Sequence, residues 1–125
     1  MKKVIYTNKA PDPVGPYNQA IFSNNTLYIS GQVALDPKSG KMINKSLKDE
    51  TNQVMNNLKT ILMEVGFDCN NVIKSTIYLT DMDNFEEVNE IYGSFFDGKN
   101  VPARVTVEVS RLPKNAKVEI DMIAS

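Results

Sequence analysis

An arginine and a glutamate, fifteen residues apart, are of types from which a reaction could be built. Arg104 stands in Val101-Pro102-Ala103-Arg104-Val105-Thr106, where a strand should begin. Its guanidinium is a rigid, permanently charged fork that grips a carboxylate or phosphate through two parallel hydrogen bonds. Glu119 lies in Val118-Glu119-Ile120, on what reads as the second strand of a hairpin. If Glu119 sits opposite Glu108, parity puts it on the Arg104 side, a register the sequence leaves open. A carboxylate beside a bound electrophile can orient and deprotonate water. On spacing alone, a surface charge pair is the plainer account of the same two residues.

Other candidates carry equally plain alternatives. Tyr17, after the Gly15-Pro16 turn, reads by default as a strand tyrosine packing its ring. Ser30-Gly31-Gln32 reads as a bulge in which glycine relieves crowding, or as a close approach of backbone to ligand. Asn89 interrupts a helical pattern and by default faces solvent.

What is missing narrows the chemistry. The 125 residues include no histidine, no tryptophan and one cysteine. That excludes a histidine-based triad, a histidine-ligated zinc, an internal disulfide and a CxxC pair. Cys69 follows Gly66-Phe67-Asp68 and reads as a packing or loop residue rather than a nucleophile. With 14 basic and 15 acidic residues the net charge is -1, which argues against nucleic acid as a partner. The nearest basic cluster, Lys38, Lys41, Lys45 and Lys48, is flanked by Asp36, Asp49 and Glu50 and reads as solvated. No apolar run approaches membrane-spanning length, and the first residues are too polar for a signal-peptide core. A soluble, cytoplasmic protein without membrane attachment is expected.

The elements that must position these residues follow from periodicity. Without repeats or linker-like tracts, residues 1–125 should form one domain. Strands are predicted over 3–7, 17–23 and 26–33, the last two split by Asn24-Asn25. The stiff Ala10–Pro16 loop and the Asp36–Gly40 turn punctuate them. A helix over 47–65 has Ser46 and Asp49 at its start, a helical apolar stripe, and Gly66 past its end. A strand over 72–80 leads to a second helix, begun by Asp83 with Glu86 and closed by Gly98. Its apolar face is Phe85, Val88, Tyr92, Phe95 and Phe96. Strands over 103–110 and 117–124 follow, joined by Pro113-Lys114-Asn115.

The order β-β-β-α-β-α-β-β is an α+β domain with two helices on one face of a mixed, six-stranded sheet. The valines Val105, Val107 and Val109 and the set Val118, Ile120 and Met122 should lie under the helices. Arg104, Thr106 and Glu119, joined by Tyr28, Ser30 and Gln32, should then share the uncovered face. That face must meet solvent or another subunit.

The combination is more specific than its parts. Gly15-Pro16-Tyr17-Asn18-Gln19-Ala20, Ile29-Ser30-Gly31-Gln32, Val88-Asn89-Glu90-Ile91-Tyr92, and Pro102-Ala103-Arg104 through Val118-Glu119-Ile120 resemble the RidA family over nearly the whole chain. These are the reactive-intermediate imine and enamine deaminases. The resemblance implies a chorismate-mutase-like fold, a homotrimer with clefts between subunits, and no metal or organic cofactor. The implied reaction is hydrolysis of 2-imino and 2-enamino acids, such as 2-aminoacrylate and 2-iminobutyrate, to 2-keto acids and ammonia. It implies that Arg104 binds the substrate carboxylate, Glu119 activates water, and Tyr17 hydrogen-bonds water or the imine nitrogen. Ser30, Gly31, Asn89 and Thr106 would line the pocket.

Thr106 departs from the family, in which a cysteine frequently follows the arginine at this spacing, and Asn18 stands where serine is frequent. Both bear on substrate preference more than on reaction class. Two other readings remain beside the deaminase: a non-catalytic sensor or chaperone binding 2-keto acids, and a ribonuclease or translation inhibitor.

Overall fold

The computed structural model describes all 125 residues. Helical periodicity after Ser46 becomes helix α1 (Leu47–Glu64). The Ser46 hydroxyl accepts the Asp49 N–H at 3.0 Å, and Asp49 and Glu50 sit in the positively polarised first turn. Val54, Met55, Leu58, Ile61 and Leu62 form its buried stripe. Each large apolar side chain taken out of water contributes roughly 2 kcal/mol. Gly66 ends the run at φ +78, a conformation that a residue without Cβ takes without strain.

Six strands form one sheet: β1 (Lys3–Ile5), β2 (Ala20–Ser23), β3 (Thr26–Gln32), β4 (Val72–Leu79), β5 (Ala103–Glu108) and β6 (Val118–Ala124). Their spatial order is β1-β2-β3-β6-β4-β5. Only β4 and β5 run parallel; every other neighbour pair is antiparallel. The connection between β4 and β5 carries α2 (Phe85–Gly93), as a parallel crossover requires. Both helices contribute to a single core with the sheet, through Val54, Leu58, Leu62, Val88 and Tyr92 against Ile77, Leu79, Val118 and Ile120. The fold is therefore the expected α+β arrangement, with two helices on a mixed, six-stranded sheet.

Several boundaries and pairings differ from the expectation. Tyr17 precedes the strand it was expected to begin, because β2 starts only at Ala20. Asp83 does not cap α2: a short 3-10 turn, Met82–Asn84, intervenes, and Asp81 accepts the Asp83 N–H at 2.9 Å. The helix stops at Gly93, so Phe95 and Phe96 pack from beyond its end.

The largest correction concerns the two last strands. β5 and β6 do not form a hairpin; β4 lies between them. Nor do the β5 valines lie under the helices, since Val105 is 46% and Val107 37% exposed. β6 follows the expectation, with Val118, Ile120 and Met122 buried. The physical reason is that α2 turns an aromatic surface to β5 on which a guanidinium can stack. Gln32, expected on the uncovered face, is buried.

Candidate functional site

The sheet register divides the candidate residues into two groups. Ser75 of β4 pairs with Arg104, and Tyr78, three residues on, pairs with Glu119. Side chains alternate along β4, so Arg104 leaves by the helix face and Glu119 by the uncovered one. A charge pair between them within one copy is thereby excluded.

On the uncovered side, Glu119 lines a cleft of about 350 Å³ together with Tyr17, Ser30, Gly31 and Gln19. The β3–β6 register shifts between Ile29 and Gln32, so Ser30 and Gly31 occupy a bulge. Of the two sequence readings of this segment, the bulge that relieves crowding is the one seen. Gly31 relieves crowding because the Glu119 carboxyl lies directly over it. A Cβ at Gly31 would fall on Glu119 Oε2 and sit 2.9 Å from its Cδ. Burial, and secondarily the Asp121 carboxylate, push the Glu119 pKa above its ordinary value.

Tyr17 is held from the loop. Its hydroxyl accepts the Val14 N–H at 3.2 Å, which leaves the phenolic proton free to donate into the cleft. The Ser30 hydroxyl donates to the Asn18 carbonyl at 2.6 Å, and the Ser30 N–H to the Gln19 carbonyl at 2.9 Å. These bonds pin the Tyr17 loop to the bulge.

On the helix side, Arg104 donates through Nη1 to the Asn89 amide oxygen. Its guanidinium carbon stands 5.2 Å from the Tyr92 ring centre and 5.7 Å from that of Phe85. This is a cation–π seat that leaves part of the fork free. Asn89 is thus half-buried against Arg104 rather than solvent-facing. Thr106 shares this side, and its hydroxyl is buried without a hydrogen-bond partner, as are those of Ser75 and Tyr92.

Gln19, Phe85, Tyr92 and Glu50 hold these groups in place and were not legible as site residues. Gln19 is buried, accepts the Thr7 N–H at 2.8 Å, and donates to the Thr7 and Pro11 carbonyls. It fixes the root of the Tyr17 loop, yet one glutamine before a strand carries no sign of burial. Glu50, 1% exposed, accepts the Lys117 N–H at 2.6 Å and anchors the approach to Glu119. Cys69 lies apart in a short 3-10 turn, its thiol pKa raised by burial. No three His, Cys, Asp or Glu side chains gather as metal ligands would. No helix is long and apolar enough to cross a membrane.

Comparison with known proteins places this geometry in a family. A family model described as endoribonuclease L-PSP matches residues 7–125. A RutC family protein of Pyrococcus horikoshii is 52% identical, over 99% of this chain and 98% of its own. The 2-iminobutanoate/2-iminopropanoate deaminase of Mus musculus is 48% identical, over 99% of this chain and 91% of its own. Among solved structures, a Rid family protein from Yersinia pestis superposes with a TM-score of 0.96 at 43% identity, over 100% of this chain and 99% of that one. With the match running almost end to end, the chain belongs to the endoribonuclease L-PSP family, the group that includes the RutC and RidA proteins.

Proposed function

We propose that the chain hydrolyses 2-imino and 2-enamino acids, such as 2-iminobutyrate and 2-aminoacrylate, to 2-keto acids and ammonia. The observation that carries this reading is the seat of Glu119, a half-buried carboxylate of raised pKa facing a cleft beside a free phenolic proton. The naming of the mouse relative as a deaminase of this class supports it.

The roles follow from the chemistry. Arg104 grips the substrate carboxylate with the part of its fork that Asn89 leaves free. Glu119 takes a proton from water as the water oxygen bonds to the imine carbon. From the N-protonated imine, which an enamino acid becomes by gaining a proton at its terminal carbon, this gives a neutral carbinolamine. Glu119 passes the proton to its nitrogen, the C–N bond breaks as the hydroxyl proton returns to Glu119, and ammonia leaves behind a carbonyl. Tyr17 donates to the water or the nitrogen, while Ser30, Gly31 and Thr106 shape the pocket. Such a substrate is already electrophilic, so orientation and proton transfer suffice.

Because Arg104 and Glu119 leave opposite faces of one sheet, the site in this reading is completed between copies, within a homotrimer. Each cleft then takes its arginine from one subunit and its glutamate from the next. The test is a coupled assay in which an amino-acid oxidase or threonine dehydratase generates the imine and its decay is followed. Wild-type protein should accelerate decay, and Arg104→Ala should lower that acceleration by roughly 100-fold or more while the fold survives. Absence of acceleration with any carboxylate-bearing imine favours a 2-keto acid sensor instead.

The description of the family model favours a second reading, ribonuclease activity. RNA cleavage that persists at high salt and vanishes in Arg104→Ala would support it. A net charge of -1 makes such binding weak.

A further inference from the structure

Among the residues lining the Glu119 cleft, Lys114 is the only cation. Its backbone is left-handed, at φ 60 and ψ 24, a conformation that glycine takes more readily than lysine. The turn that imposes it is closed by one hydrogen bond and anchored past its end by another. The Ala116 N–H donates to the Pro113 carbonyl at 3.1 Å, and the Lys117 N–H to Glu50 at 2.6 Å. A lysine is therefore carried on a rigid backbone mount at the rim of the cleft, its side chain exposed.

Two carboxylates, Asp12 and Glu119, line the same cleft, and each has a partner or seat of its own. Asp12 accepts the Tyr6 hydroxyl proton at 2.6 Å, and Glu119 lies over Gly31. The cleft of one copy, about 350 Å³, is within the range of small-molecule sites, so a five-carbon dicarboxylate is of a size it can take.

We propose that Lys114 forms a second anion subsite, so that the cleft accepts 2-imino and 2-keto acids carrying an additional carboxylate on the side chain. The inference rests on the deaminase reading for the placement of the reacting carbon beside Glu119. Lys114 then meets the far carboxylate, while the carboxylate next to the reacting carbon stays with the arginine.

Calorimetric titration of the assembled protein with 2-oxoglutarate and with 2-oxobutyrate tests this without requiring turnover. Wild type should bind 2-oxoglutarate roughly tenfold more tightly, as one charge-assisted contact near solvent permits. High salt should compress that ratio. Lys114→Gly, which also relieves the left-handed backbone, should abolish it, and Lys114→Arg should preserve it. Equal binding of the two acids by wild type, binding of neither, or an unchanged ratio in Lys114→Gly overturns the proposal. A Lys114-dependent ratio without imine hydrolysis leaves this subsite standing and overturns the deaminase reading; imine hydrolysis without the ratio does the reverse.

Discussion

Arg104 and Glu119 flank β4 in the same sheet, one on each side of it, and their side chains leave by opposite faces. Within one copy, a substrate held by one is walled off from the other by the sheet itself. Two inactive proteins should therefore repair each other. Subunits carrying Arg104→Ala, dissociated and reassembled with an equal amount of Glu119→Gln, should recover roughly a quarter of wild-type turnover, because about one interface in four joins two intact halves. Mixed assemblies that stay inactive, with exchange verified by mass spectrometry, would remove the two-copy site.

Gly31→Ala should act on chemistry rather than on folding. Its new Cβ would occupy the place of the Glu119 carboxyl, which is the movable end of a flexible side chain. A shift of about 1 Å in a catalytic group costs up to roughly 100-fold in rate. We expect kcat to drop by 10- to 100-fold with the melting temperature nearly unchanged, as steady-state assays and calorimetry would report.

The acid limb of the rate profile should follow Glu119. Its pKa is raised, first by burial and then by Asp121, so the ionised base is lost already above the ordinary glutamate range. Asp121→Asn removes the second cause and should move that limb to lower pH. Stability has the opposite sense. A carboxyl with a raised folded-state pKa contributes stability that is full below its unfolded value and lost as pH rises through the folded one. Glu119→Gln should therefore melt higher than wild type at neutral pH, and the gap should close in acid, while turnover is lost.

Gln19→Ala should weaken the whole Tyr17 loop. It leaves the Thr7 N–H and the Thr7 and Pro11 carbonyls without their partner in a buried setting. Unsatisfied groups of this kind cost about 2–4 kcal/mol in total. Urea unfolding should show that loss, and Tyr17-dependent turnover should fall with it.

Helix α1 and the glycine that ends it were legible because their signals are local. The spacing from Leu47 to Val65 has one period, and Gly66 one plausible role. The faces of β5 were not. Alternation of Arg104, Thr106 and Glu108 with three valines defines two sides but not which side is covered. The deciding fact is the aromatic pair Phe85 and Tyr92, which sit on a helix and draw the guanidinium beneath it. The β5–β6 hairpin failed for a related reason: a parallel crossover and a hairpin leave the same alternation in the sequence. Ser30 and Gly31 could be read as a bulge, but only the β3–β6 register brings Glu119 over the glycine.

The insertion of β6 between β3 and β4 has a consequence for the order in which the protein comes into being. β6 is the sixth strand to leave the ribosome and pairs with the third and fourth, so both wait with an unpaired edge until it docks. Glu119, the proposed base, travels on that same strand. Arg104 sits on the strand made just before it, so both halves of the proposed two-copy site emerge only at the end of the chain, and copies can assemble it only once the last gap in the sheet is closed.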